Sequence, residues 1–217
     1  MKRTFKKAVS VFLVVAMLLC AAPLNGLVGL DLPQLFDFKA EAASYSGTCG
    51  DNLTWTLDDK GVLTISERQL SKEHTTITEV TVWYNKLEGI SVDGATVIFE
   101  GAVESQLLDI KAKSKASLTL SIDALDTLVE CTGKSSISLS GQSRYFKLAI
   151  STATMSGFDL KTVAANIDAS HDAEVRISVS ERLEAITSTS AQIYYKGEPV
   201  ILRTKNSLFG GEIAAVN

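Results

Sequence analysis

Ser170-His171-Asp172, followed closely by Glu174, is the one dense polar cluster in this chain that contains a histidine. An imidazole beside carboxylates can relay a proton or hold a metal ion. No second His or Cys falls at a matching position, so the cluster reads more simply as a solvated corner. His74 sits apart in a polar stretch. There is no Cys-x-x-Cys, no His-x-x-x-His and no glycine-rich phosphate loop. Nothing in these patterns implies a metal or any other cofactor. Two further chemistries need testing against position. Clustered carboxylates on one outer face, with or without calcium, would cleave polysaccharide. Exposed aromatics, with Trp83, Tyr145 and Tyr194 as candidates, would stack on sugars or anchor a partner.

The elements that position these residues begin after an address. Met1 to Lys7 is cationic, Ala8 to Ala22 is uncharged and mainly apolar, and Ala40-Glu41-Ala42 supplies a small-x-small site. That order is a secretory signal, residues 1–42, with the mature chain starting near Ala43. An uncleaved anchor is the competing reading, but Pro23, Asn25 and Gly26 break the run short of a membrane span. Bulky Leu18 and Leu19 before Cys20 argue against lipoprotein attachment. Of 21 Lys+Arg and 25 Asp+Glu, removal takes Lys2, Arg3, Lys6, Lys7 and Lys39 with Asp31, Asp37 and Glu41, leaving 16 against 22. A mature chain near −6 has no basic footprint for nucleic acid, and no second run long enough to span a membrane follows.

Residues 43–76 read as a hairpin and its connector. Leu53, Trp55 and Leu57 alternate with polar residues, Asp58 to Gly61 makes a turn, and Leu63 and Ile65 alternate again. Glu67 to Thr76 is polar. From residue 77 to 217 short apolar pairs recur: Val97/Phe99, Leu118/Leu120, Ile137/Leu139, Phe158/Leu160, Val175/Ile177 and Ile193/Tyr195. Their first members lie 21, 19, 21, 17 and 18 residues apart. Six residues before five of them stands a small residue: Ala112, Cys131, Thr152, Ala169 and Thr187. Two before that come Ile110, Val129, Ile150, Ile167 and Ala185. A repeat of this length, holding two or three short strands, is one rung of a right-handed parallel β-helix. The prediction is an all-β chain with about six rungs after a short β-hairpin. Leu118, Ile137, Phe158, Val175 and Ile193 form one interior column, and the small residues pack where the coil is tightest.

Two outward ladders follow from that stacking. One holds Thr119, Ser138, Asp159, Arg176 and Tyr194. The other holds Lys111, Glu130, Ser151, Asp168, Ile186 and Arg203. Neither puts two carboxylates side by side, and Asp159 beside Arg176 and Lys111 beside Glu130 suit cross-strand pairing. Trp55 and Tyr195 fall at inward phases. Cys49 and Cys131 could pair in an oxidising compartment, but Cys131 also fits the small column as a free thiol.

The segment SGTCGDNLTWTLDDKGVLTIS resembles the opening of secreted bacterial surface proteins with BspA-like leucine-rich repeats, although no such repeat follows. Residues 80–213 resemble the auto-transporter adhesin head GIN domain family, most closely over SERLEAITSTSAQIYYKGEPVILRTKNSLFGGEI. That resemblance implies a right-handed parallel β-helix and an adhesive role. Corners that often read Ser-Gly-Ala-Gly in the family are here Lys113 to Ser117, Thr132 to Ser136, Ala153 to Gly157, Ser170 to Glu174 and Ser188 to Gln192, with few glycines. Looser corners are expected.

The resulting expectation is a secreted or cell-surface, non-catalytic, adhesin-like module. Its flat polar face at Thr119, Ser138, Asp159, Arg176 and Tyr194 would meet an extracellular protein or glycan, and its end rungs could self-associate end to end. The alternative is a polysaccharide lyase or hydrolase on the same scaffold. A β-sandwich also has short strands, but not a repeated pair offset. N-terminal sequencing of the exported chain is expected to read Ala43-Ser44-Tyr45; an intact Met1 would refute cleavage.

Overall fold

A computed structural model describes residues 45–49, 53–67, 86–206 and 210–216. Residues 42–217 form one compact unit; Met1–Glu41 is a separate one. The signal segment, most of the expected connector, His74, Trp83 and Tyr84 lie outside the described residues. Among those described, no helix is long and apolar enough to cross a membrane.

The described residues open with an antiparallel meander. β1 (Tyr45–Cys49) pairs with β2 (Leu53–Leu57), and β2 pairs with β3 (Val62–Glu67), setting Trp55 opposite Ile65 and Leu57 opposite Leu63. The Asp58 carboxylate accepts from the Val62 and Lys60 amides at 2.8 and 3.0 Å, which fixes the turn between β2 and β3. β3 then pairs in parallel with β4 (Gly89–Asp93), so the meander continues the sheet that follows.

From β4 onward all pairing is parallel. β5 (Thr96–Lys113), β6 (Ser117–Thr132), β7 (Ser136–Ser151), β8 (Thr154–Ser170) and β9 (Glu174–Thr187) stack in sequence order. β10 (Gln192–Lys196) and β11 (Ile201–Asn206) both lie on β9, and β12 (Glu212–Ala215) lies on β10. This is a β-solenoid of about seven turns. It exceeds the predicted six because β4 and β12 add partial turns before Val97 and after Ile193.

Each long strand must bend to return onto itself, and its burial alternation shows where. In β6 the even positions Leu118 to Ala124 are buried, then the phase slips at Leu125 and Asp126, and Thr127, Val129 and Cys131 are buried. A second bend falls near Gly141. The third is the tight corner after Lys113, Thr132, Ser151, Ser170 and Thr187. There Ser114, Lys115, Lys134, Thr152, His171, Asp172, Thr189 and Ser190 all take positive φ without being glycine. Left-handed backbone costs such residues roughly 1–2 kcal/mol each. What offsets it is hydrogen bonding along the stack: Lys115 N–H donates to the Gly133 carbonyl at 2.8 Å and Asp172 N–H to that of Thr189 at 3.1 Å. The corners are therefore regular despite having few glycines.

The interior columns correct the sequence reading at one turn. The first column runs Val97, Leu118, Ile137, Met155, Val175, Ile193 and Ile213. Met155, not Phe158, occupies the fourth place. Core residues flanking the tight corner are six apart at Ala112–Leu118, Cys131–Ile137, Ala169–Val175 and Thr187–Ile193, but five apart at Ile150–Met155. Ile150, not Thr152, therefore lies between Cys131 and Ala169, and Leu148 lies between Val129 and Ile167. Phe158, Asp159 and Leu160 belong to a bulge: the register passes from Gly157↔Ile177 directly to Lys161↔Ser178. The column of small residues at the tightest point is also a different one, Ala95, Ala116, Ser135, Ala153, Ala173 and Ala191, all buried. Their carbonyls accept from the amides of Ser117, Ser136, Thr154, Glu174, Gln192 and Glu212 at 2.8–3.0 Å, one turn further on.

Gly141 is needed for a steric as well as a torsional reason. With φ of 96°, a Cβ there would stand 2.2 Å from the Ile122 carbonyl oxygen, whereas Gly101, with φ of 82°, has nothing within 4 Å. In urea unfolding, Gly101→Ala is expected to cost about 1 kcal/mol and Gly141→Ala more than about 3 kcal/mol. Equal losses would mean that the turns are not stacked in this register.

Candidate binding surfaces

The flat face lies on the outside of the first sheet. Direct register places Ile98, Thr119, Ser138, Ser156, Arg176, Tyr194 and Ala214 in one ladder. Thr119, Ser138, Arg176 and Tyr194 stand where the sequence put them. Asp159 does not: it is exposed in the bulge, and Ser156 takes its place. The guanidinium of Arg176 pairs instead with Glu174, at 2.5 Å. Beside this ladder runs a second, Thr96, Ser117, Ser136, Thr154, Glu174, Gln192 and Glu212. Ser121 and Ser140 pair on the other flank. Across β6 to β8 these ladders are thus an array of hydroxyls with no charge among them, while β5 contributes Thr96 and the exposed Ile98. Charge begins only at Glu174 and Arg176. Tyr194 is half-buried, and its hydroxyl donates to the Gln192 side-chain oxygen at 3.2 Å.

The other expected ladder is corrected at two positions. It reads Ser91, Lys111, Glu130, Ala149, Asp168, Ile186 and Lys205, so Ser151 and Arg203 are replaced. Lys111 is beside Glu130 as expected, although its Nζ is 3.4 Å from Asp109. Arg203 lies one ladder over, where its Nη1 and that of Arg182's Nη2 reach the same Glu184 oxygen at 3.1 and 2.6 Å. The hydrogen bond from Arg182 holds the Glu184 carboxyl below its ordinary pKa, with both arginine charges adding. Asp93 is also lowered, first by a hydrogen bond from Ser114 and further by Lys113.

The remaining chemical candidates are accounted for by the packing. His171 and Asp172 are exposed at the tight corner, and His171 Nδ1 is 3.3 Å from Ser151 Oγ. Among the described residues, no three His, Cys, Asp or Glu side chains gather where a metal ion could sit. Cys131 is a free, fully buried thiol stacked on Ala112, and burial pushes its pKa up to about 12. Trp55 and Tyr195 are partly buried against the core. Tyr145 is 48% exposed.

Sequence reasoning missed the groove beside Tyr145. It has a volume of about 800 Å³ and is lined by residues of six turns. Its signal was available as a short side chain, Ala164, between long ones at the same ladder position, but only a correct register reveals it. At the bend beneath the groove, buried hydroxyls satisfy one another and the backbone. Thr127 Oγ1 and Ser143 Oγ are 2.8 Å apart, and Thr162 Oγ1 donates to the Ser178 carbonyl at 2.6 Å.

A family model described as "Putative auto-transporter adhesin, head GIN domain" matches residues 50–199. The match takes in much of the N-terminal meander along with the coil and lends no support to a BspA-like origin for that segment. No curated protein matches the chain.

Once Cys20 and Cys49 are replaced by serine, iodoacetamide at about pH 8 is expected to leave Cys131 unlabelled until urea opens the fold, because almost no thiolate forms there. Rapid labelling in native buffer would contradict its placement in the core.

Proposed function

We propose, since the chain belongs to the auto-transporter adhesin head GIN domain family, that it is an exported, non-catalytic module that makes adhesive or scaffolding contacts at the cell surface. The observation that carries this reading is the flat outer face of β6 to β8. Its hydroxyls repeat from turn to turn at the strand spacing of about 4.8 Å, and interior strands on both sides hold it rigid. Such a surface meets another flat polar surface with little loss of side-chain freedom, since Ser and Thr have few rotamers to lose. A polysaccharide-cleaving enzyme would need a carboxylate pair, and the ladders of this face bring none together over those three turns.

Export and display rest on the reading of residues 1–42 and on the family. The test joins localisation to contact. Cells producing the chain are expected to carry it on the surface or release it, and to adhere or co-aggregate more than cells lacking it. Ser138→Lys with Ser156→Lys, which put two charges in the middle of the face, is expected to bring adhesion down to the level of the deletion while melting is unchanged. Recovery only from the cytosol, or full adhesion by the double variant, would overturn the proposal, and so would release of oligosaccharides from a uronate polymer.

A further inference from the structure

The outer face beyond the Leu125 bend is not flat. Its groove follows the direct ladder Leu107, Asp126, Tyr145, Ala164, Arg182 and Ile201. Five turn-to-turn steps of about 4.8 Å make it roughly 24 Å long. Its depth has a simple cause: Ala164 is a short side chain between two long ones, Tyr145 on the turn before and Arg182 on the turn after. Those two ladder positions are two steps apart, roughly 10 Å, which leaves a slot for one flat ring.

We propose that this groove binds an uncharged oligosaccharide laid across the turns, with a sugar ring in the slot over Ala164. On one side stands the half-exposed Tyr145, whose ring centroid lies 5.4 Å from the Arg144 guanidinium carbon; an aromatic ring offers an apolar surface to the C–H face of a sugar. On the other side stands a planar polar wall that is already ordered. Glu184 accepts from Arg182 at 2.6 Å, from Arg203 at 3.1 Å and from the Asn166 amide at 3.4 Å. Donors and acceptors held in place beforehand lose little freedom when they engage hydroxyls.

Charge and backbone narrow the class of ligand. Arg144 and Lys147 are countered by Asp126 and Glu181 along the lining, so neither sign prevails and no polyion is drawn in. β6, β7, β8 and β9 each have a strand on both sides. Between its two end positions, Leu107 and Ile201, the floor therefore offers no free edge on which an extended peptide could add as a strand. Recognition falls to side chains alone, which suits a ring bearing many hydroxyls. The site is independent of the flat face, so its fate is separate from that of the adhesive reading.

Calorimetric titration of the purified chain with β-linked hexamers of glucose and of N-acetylglucosamine tests this, with a galacturonate hexamer and an extended threonine–valine hexapeptide alongside. At least one neutral hexamer is expected to bind. Tyr145→Ala, which removes the stacking face, and Ala164→Leu, which fills the slot, should each weaken it at least about tenfold. Asp59→Asn, exposed in the β2–β3 turn and outside the groove lining, should leave affinity unchanged, and all three variants should melt with the parent. The proposal is overturned if neither neutral hexamer binds at millimolar concentration or if only the galacturonate or the peptide binds. Parental affinity in both groove variants would overturn it as well.

Discussion

Everything in this chain depends on parallel backbone pairing between one turn and the next. A short strand cannot bury a face by itself, and a coil of short strands becomes stable only when each turn lies on its neighbours. That pairing demands turns of nearly equal length, and the column from Val97 to Ile213 has steps of 21, 19, 18, 20, 18 and 20 residues. The corners supply the constancy. Residues of ordinary type accept left-handed backbone there because the corner amides also donate to the adjoining turn. Where the corner at Thr152 is a residue short, the excess on the following turn leaves the ladder as a bulge, and pairing resumes beyond it.

The same constraint explains what could be read from the sequence and what could not. The β2–β3 hairpin was legible because its alternation and turn are local, whereas β1 was not read as a strand. Leu118, Ile137, Val175 and Ile193 were legible as a column because each begins an apolar pair one strand residue apart. The fourth turn breaks that pattern. Its true pair is Met155 and Gly157, and a Cβ at Gly157 would meet Met155 Cε at 2.6 Å. One long flexible side chain fills the space of two core positions, so the pair is invisible to an apolar-x-apolar search. Phe158 and Leu160 imitate it three residues later. Leu160 is buried, while Phe158 lies half-buried with Lys196 Nζ 4.6 Å from its ring centroid. Shifting that turn displaced Asp159, Thr152 and Ser151 together, while Arg203 is displaced separately, in the last turn, where Lys205 stands beside Ile186.

Rigidity of the interior shapes what the surfaces can do. Strands β6 to β9 have neighbours on both sides, so function on their faces must be written in side chains. The first face carries hydroxyls without charge over β6 to β8. The third carries charge of both signs, an aromatic ring and a depression. These two surfaces differ although one backbone repeat produces both, since outward positions are free to vary while inward positions are not.

The last turn shows how a stack of this kind can stop. The inward columns that hold Ile110, Val129, Leu148, Ile167 and Ala185, and Ala112, Cys131, Ile150 and Ala169, finish in Thr204 and in Thr187 followed by Asn206. Thr204 and Asn206 are exposed, and the Thr187 hydroxyl is 3.2 Å from Asn206 Oδ1. Polar groups at core positions are compatible with water above them, and burying them under another copy would require new partners for each. Leu202, exposed at the end of the neighbouring column with Val200 and Ile201 nearby, pulls the other way. β11 is paired on only one side, and an edge strand invites company, but its outward Arg203 and Lys205 and its polar inward positions oppose that pairing. Any copy stacked on β11 would therefore have to overcome polar burial at two of the three columns that end on it.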